Sequence, residues 1–359
     1  MPRLGDFMTE GIVVRLARSQ GDEVNQGEVI AEIETEKLNY DLESVAAGRF
    51  HPLVDEGATV AVDGLIGYVL AEGYVEDARA ISVIDAGLDA GVNFVDTADA
   101  YNAGHSEVVV GKAVRSRRDK FVVATKGFIA TGDGPNDVGL SRKHLIDAVE
   151  SSLRRLNTDY IDLYQVHYFD PDTPLEESLG TLDDMVRAGK IRYIGCSNFA
   201  AWQLTRALWV SDKRDLERFE SVQPEYNLGK RDIEGELFAV CDDQGVGVIP
   251  YQVFMGGVLT GRYDASSGPP DDSHMASRHA QRAKDTYWNE RTFGMVETLR
   301  SIAAELEISV PQLLIAWTLS RPQITSVIVG ASRPDQVESN AEATSIDLPA
   351  SMVSQLDAL

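Results

Sequence analysis

Residues 91–126 read GVNFVDTADAYNAGHSEVVVGKAVRSRRDKFVVATK. Two short apolar runs, GVNFVD and KFVVATK, frame this stretch, and each ends on a charged residue, Asp96 and Lys126. Further runs of the same kind follow: IDLYQVH ending on His167, IRYIGCSN ending on Ser197 and Asn198, SVQPEYN containing Gln223, VGVIPY ending on Tyr251, and SVIVG ending on Gly330. Amphipathic helical runs follow most of them, such as RKHLIDAVESSLRRL with its 3-4 apolar spacing and PLEESLGTLDDMVRAG with Pro early and Gly last. Alternating strand and helix units over roughly 280 residues predict an α/β fold built as a (β/α)8 TIM barrel. No GxGxxG follows any strand, so a doubly wound dinucleotide fold is not supported.

In a parallel barrel the C-terminal ends of the strands share one face, which carries the active site. One polar residue at a strand end is more often a loop side chain or a helix cap. Asp96, Lys126 and His167 on three successive strands, with Tyr101 just beyond the first, argue for a site. The residue types point to proton delivery. A phenol is a weak acid at neutral pH. A neighbouring ammonium lowers its pKa, and an aspartate holds the ammonium charged and in place. A neutral histidine can polarise a carbonyl oxygen. With no metal cluster and no activated nucleophile, the set fits protonation of an oxygen as hydride reaches its carbon.

FVDTADAYNAGHSEVVVGKAV, VVATKG, TDYIDLYQVHYFDP, VRAGKIRYIGCSNF, VQPEYN and IVGASRPDQVESNAEA resemble the aldo-keto reductases, in order and spacing, from about residue 76 onward. The resemblance implies a nicotinamide-dependent reductase of aldehydes or ketones. It makes Tyr101 the general acid, Lys126 paired with Asp96 the group that lowers its pKa, and His167 the group that orients the carbonyl. It assigns Ser197, Asn198 and Gln223 to the nicotinamide carboxamide and Tyr251 to stacking on the ring. It places Gly330, Ser332, Arg333, Gln336 and Asn340 at the adenosine end. The Ser332-Arg333 pair suits a 2′-phosphate, so NADPH is expected ahead of NADH. Phe128, Tyr168, Phe169 and Trp288 are candidates for a substrate pocket and equally for packing. The polar stretch 264–291 is either a lid or a surface insertion. Cys196 reads as buried packing and His105 as a loop residue.

Residues 1–73 differ in character. Short alternating runs such as GEVIAEIETE read as strands. Gly21-Asp-Glu-Val24-Asn-Gln-Gly27 followed by EVIAEIE is echoed by Gly57-Ala-Thr-Val60-Ala-Val-Asp-Gly64 followed by LIGYVLAE, which predicts an all-β sandwich with internal pseudo-symmetry. Lys37 lies between the halves, flanked by Glu34, Glu36, Asp41 and Glu43. MPRLGDFMTEG, GDEVNQGEVIAEIETEK and AAGRF resemble the lipoyl domains of 2-oxo acid dehydrogenase acyltransferase subunits. The resemblance implies lipoate in amide linkage on Lys37, attached by a lipoate-attaching enzyme. A biotin carrier has Met on both sides of its lysine, whereas Glu36 and Leu38 stand here.

The expected organisation is therefore a lipoyl-type domain, 1–73, and a reductase barrel, 74–359. The first barrel strand is missing or replaced: LIGYVL, 65–70, is claimed by both domains. The family's Ser-Pro-Leu is absent after the stacking tyrosine, where YQVFMGGVLTG stands, and Ser339 replaces an acidic residue. A net charge of -24, from 33 basic and 57 acidic residues, disfavours nucleic acid as a partner. No apolar run approaches membrane-spanning length and there are only two cysteines, so no membrane association and a reducing cytoplasmic location are expected. The expected partner is a small carbonyl compound, and no metal is expected.

Overall fold

A computed structural model describes residues 10–359 apart from 20–21, 36–38, 45–46, 53, 62–65, 71–73, 267, 270–274 and 276–280. The chain divides into two compact units, Met1–Ala80 and Ile81–Leu359.

The first unit contains seven described strands: β1 (Glu10–Leu16), β2 (Glu23–Val24), β3 (Val29–Glu34), β4 (Asn39–Glu43), β5 (Gly48–Pro52), β6 (Thr59–Ala61) and β7 (Gly67–Leu70). They form one sheet in the order β4-β3-β1-β6 and another in the order β2-β5-β7. The repeat seen in the sequence is visible in the pairing. β1 is flanked by β3 of the first half and β6 of the second, and β5 by β7 of the second and β2 of the first. Gly27 and Gly57 each stand in a turn ahead of a strand with φ of 83° and 87°, a conformation that favours glycine. Val13, Ala31, Ile33, Val60 and Ile66 form one apolar cluster and Val24, Ile30 and Phe50 another, and Leu16 and Leu42 pack against both. β7 pairs antiparallel with β5, so residues 67–70 of LIGYVL are spent on this unit. β3 and β4 pair with Glu34 opposite Asn39, while Lys37 lies outside the described residues.

The chain continues through α1 (Tyr74–Asp89), inside which the division between the units falls. The second unit has a parallel sheet of β8 (Phe94–Asp96), β9 (Val122–Gly127), β10 (Ile161–Val166), β11 (Ile191–Ser197), β12 (Phe219–Gln223) and β13 (Gly247–Val248), in sequential order. Among the described residues β8 pairs only with β9. SVIVG is not a regular strand. Thr325 N–H donates to Val248 O at 2.9 Å and Ile328 N–H to Pro250 O at 2.8 Å, so the segment runs beside β13 with partial pairing. Phe94 at one end of the sheet and Ile328 at the other pack on the same small cluster of Ala124, Leu163 and Ile249. The described sheet is thus an α/β parallel array, with no strand from LIGYVL.

The helices are α2 (His105–Val114), α3 (Arg142–Leu156), α4 (Leu175–Arg187), α5 (Ala201–Arg214), α6 (Glu236–Gln244), α7 (Gln281–Tyr287), α8 (Glu290–Glu305), α9 (Val310–Leu319), α10 (Pro334–Glu342) and α11 (Ala350–Asp357). His105, expected in a loop, is the first residue of α2. α3 shows why such runs fold as helices. Ser141 accepts from His144 N–H at its start, Asn157 closes it with φ of 52°, and Leu145, Val149, Leu153 and Leu156 form its buried stripe. Gly111 lets α2 approach closely, because a β-carbon there would drive into the Leu156 carbonyl. No single helix among the described residues is long and apolar enough to cross a membrane.

Candidate active site

β8, β9 and β10 end side by side and bring three functional groups together. Lys126, with none of its surface exposed, donates from Nζ to Asp96 and, at 2.9 Å, to the Thr97 carbonyl. Burial opposes its charge, but Asp96 and then the Tyr101 hydroxyl outweigh that effect and hold the ammonium above its ordinary pKa. The ammonium lies 5.0 Å from the centre of the Tyr101 ring. Tyr101 is 40% exposed as a residue, but its hydroxyl is the desolvated end. That desolvation pushes the phenol above its usual value, and Lys126 pulls it back only in part. The expected lowering is therefore present as the lysine's contribution, and burial exceeds it.

His167 meets Tyr101 edge-on, with ring centres 5.8 Å apart, and stacks on Tyr168 at 5.2 Å. Burial and then Lys126 press its pKa down to about 3, so the imidazole is neutral at working pH. Its Nδ1 is buried without a hydrogen-bond partner. Its backbone N–H donates to Gly127 O at 3.0 Å, tying the end of β10 to the end of β9.

The neighbouring strand ends extend this group. Asn198, at φ 59°, donates to His167 O at 3.1 Å and to Ser197 Oγ at 3.0 Å, and accepts from the Tyr251 hydroxyl at 2.7 Å. Ser197 Oγ donates to Gln223 O at 2.8 Å. Gln223 Nε2 donates to Asp96 Oδ1 at 3.0 Å, as does Gln165 Nε2 at the same distance. Gln165 was not anticipated. A polar residue inside the apolar strand IDLYQV was the available signal. Asp96 is thus held by two amides and an ammonium, so its charge is compensated although buried.

A second group gathers around α10. Arg333 precedes its Pro334 start and pairs with Asp335 at 2.8 Å. Gln336 accepts from Ser332 N–H at 2.8 Å, Asn340 is buried, and Gly330 leaves open space where a side chain would stand.

Among the pocket candidates, Phe128 packs on Tyr168 at 5.7 Å beside His167, whereas Phe169 meets Phe199 and Trp202. Trp288 packs between Tyr263 and Phe293. Cys196 is fully buried, and burial lifts its thiol well above the usual range, as expected of a packing residue. Of 264–291, residues 281–287 form α7, and much of the remainder lies outside the described residues. No group of three or more His, Cys, Asp or Glu among the described residues is arranged to hold a metal ion.

Residues 64–359 match the aldo/keto reductase family. The chain belongs to that family. An aldo-keto reductase from Bacillus subtilis (strain 168), YhdN, is 32% identical over 76% of this chain and 80% of its own length. The versiconal hemiacetal acetate reductase of Aspergillus parasiticus is 31% identical over 85% of this chain and 95% of its own. A probable voltage-gated potassium channel subunit beta of Oryza sativa subsp. japonica is 38% identical over 76% and 83%. Residues 1–69 match the biotin/lipoyl family described as "Biotin-requiring enzyme". An aldo/keto reductase is therefore preceded, in one chain, by a biotinyl/lipoyl-type domain.

Proposed function

We propose that this aldo/keto reductase is an NADPH-dependent reductase of aldehydes or ketones, working reversibly as an alcohol dehydrogenase. We take its sheet as the wall of a (β/α)8-type barrel that has no strand before β8 among the described residues. The observation that carries the activity is the buried Lys126–Asp96 pair beside Tyr101, with neutral His167 on the other side.

When bound, the nicotinamide supplies hydride to the carbonyl carbon. Tyr101 gives its proton to the carbonyl oxygen, and Lys126 stabilises the phenolate left behind. Asp96 keeps Lys126 charged and fixed. His167, neutral, donates its ring N–H to the same oxygen. The donor set fits the cofactor. Ser197, Asn198 and Gln223 offer hydroxyl and amide groups for a carboxamide, and Tyr251, anchored through Asn198, offers a ring to stack on it. Arg333 and Ser332 at the start of α10 offer a guanidinium and a hydroxyl for a 2′-phosphate, with Gln336 and Asn340 for the adenosine. Phe128 and Tyr168 beside His167 favour an apolar carbonyl compound.

NADPH oxidation with a panel of aldehydes tests this reading. Tyr101→Phe is expected to lower kcat by about 10²- to 10⁴-fold with NADPH affinity retained. A variant as active as the parent overturns the mechanism.

A second reading is supported by the biotin/lipoyl match and by the names of the channel-subunit relatives. In it the chain is a lipoylated carrier, with lipoate on Lys37, or a nucleotide-binding scaffold without turnover. Saturable NADPH binding with no turnover of any carbonyl compound would favour it.

A further inference from the structure

Asp99 lies on the loop leaving β8, two residues before Tyr101. It is 2% exposed, and no side chain hydrogen-bonds its carboxyl group among the described residues. Its backbone N–H donates to the Lys126 carbonyl at 3.1 Å. Its side chain lies against Gly127. A β-carbon there would stand 3.4 Å from Asp99 Oδ2 and would collide with the Tyr164 hydroxyl, which is also buried and unpartnered. The Gly127 carbonyl in turn receives the His167 N–H. Asp99 therefore touches the backbone of Lys126 and Gly127, to which the His167 N–H is bonded, and it lies two residues before Tyr101.

The charged and titratable groups facing it are Glu107 of α2, Arg155 of α3, Lys126 of β9 and Tyr164 of β10. Glu107 is fully buried, pairs with Arg155 at 2.6 Å and accepts from Thr125 Oγ1 at 2.6 Å. Lys126 is committed to Asp96. The buried region thus has two cations and three carboxyl groups, and both cations are taken. An uncompensated buried carboxylate is costly enough that such a group normally takes up a proton instead.

We propose that Asp99 is a positioning residue that carries a proton in the working enzyme, and that its ionisation misplaces the loop presenting Tyr101. Burial and then the Glu107 carboxylate push its pKa up to about 7, against smaller opposing effects of the Ala100 amide, Arg155 and Lys126. Ionised Asp99 places a second anion beside Glu107, where both neighbouring cations are already paired, and the repulsion is relieved by displacing the loop that leads into Tyr101. The positioning role rests on the proposed reductase activity; the protonation does not.

Infrared difference spectra of the full chain between about pH 5.5 and about pH 8.5 read the carboxyl directly. The expected result is a protonated-carboxyl C=O band that disappears with a midpoint near 7 and is absent in Asp99→Asn and in Asp99→Ser. A spectrum without a titrating band assignable to Asp99 overturns the protonation, whether or not the chain is a reductase. For the positioning role, kcat of the parent is expected to fall roughly tenfold per pH unit above the midpoint, as for a single ionisation. Asp99→Asn, which mimics the neutral acid, is expected to flatten that limb with KM little changed, and Asp99→Ser to flatten it at lower kcat. An alkaline limb that survives in Asp99→Asn overturns the positioning role.

Discussion

Lys126 keeps a full charge with no contact with water, and Asp96 makes this tolerable by taking it together with the amides of Gln165 and Gln223. Removing one partner leaves a buried charge uncompensated, so Lys126→Met is expected to destabilise the fold by roughly 3–5 kcal/mol, read by denaturant unfolding. His167 and Asp99 couple stability to pH with opposite signs. His167 is held near 3 in the fold and titrates at 6.5 when unfolded, so its contribution is present above about 6.5 and is lost as pH falls towards 3. Asp99 is raised to about 7 against 3.8 unfolded, so the unfolded chain gives up its proton first and stability falls as pH rises from about 4 to about 7. Three units correspond to on the order of 4 kcal/mol. Asp99→Asn should therefore be more stable than the parent at neutral pH and equal to it in acid, with equality at neutral pH as the contrary result. Asp96, Tyr101, Lys126 and His167 were legible because strand ends mark them. Asp99 and Glu107 were not, because a polar residue inside DTADAY or at a helix start gives no sign of burial when read singly, whereas Gln165 stood out only as a polar residue inside an apolar strand.

At the scale of elements, Gly111 carries the close contact of α2 with α3. Its β-carbon would meet backbone that cannot step aside, so Gly111→Ala is expected to cost about 1–3 kcal/mol in thermal or denaturant unfolding, against a few tenths for an exposed helix position. Strand order β8 to β13 was readable because buried parallel strands form near-continuous apolar runs bounded by helices. SVIVG has the composition of a strand but lies at the edge of the described sheet. β13 beside it is only two residues long, so one backbone bond, from Ile328 to Pro250, follows that of Thr325 to Val248 in place of a full ladder. LIGYVL could not be assigned by composition alone, since it suits either domain. The antiparallel pairing from Arg49 opposite Leu70 to Pro52 opposite Gly67 joins its residues 67–70 to β5.

For the whole molecule, a reductase is joined to a unit of the kind that carries a covalent arm. Coexpression with a lipoate-attaching enzyme is expected to add the mass of one lipoyl group, lost in Lys37→Ala. An unmodified chain under those conditions would remove the carrier reading. The excess of 24 negative charges repels itself, so moderate salt should raise the unfolding temperature. The second unit, whose described sheet has no strand from LIGYVL, is proposed to bind NADPH for carbonyl reduction. The most direct test is titration of the full chain with NADPH, followed by quenching of tryptophan fluorescence. The account predicts saturable binding, on the order of micromolar, that Arg333→Ala weakens more for NADPH than for NADH. A folded chain that binds neither nucleotide would contradict it.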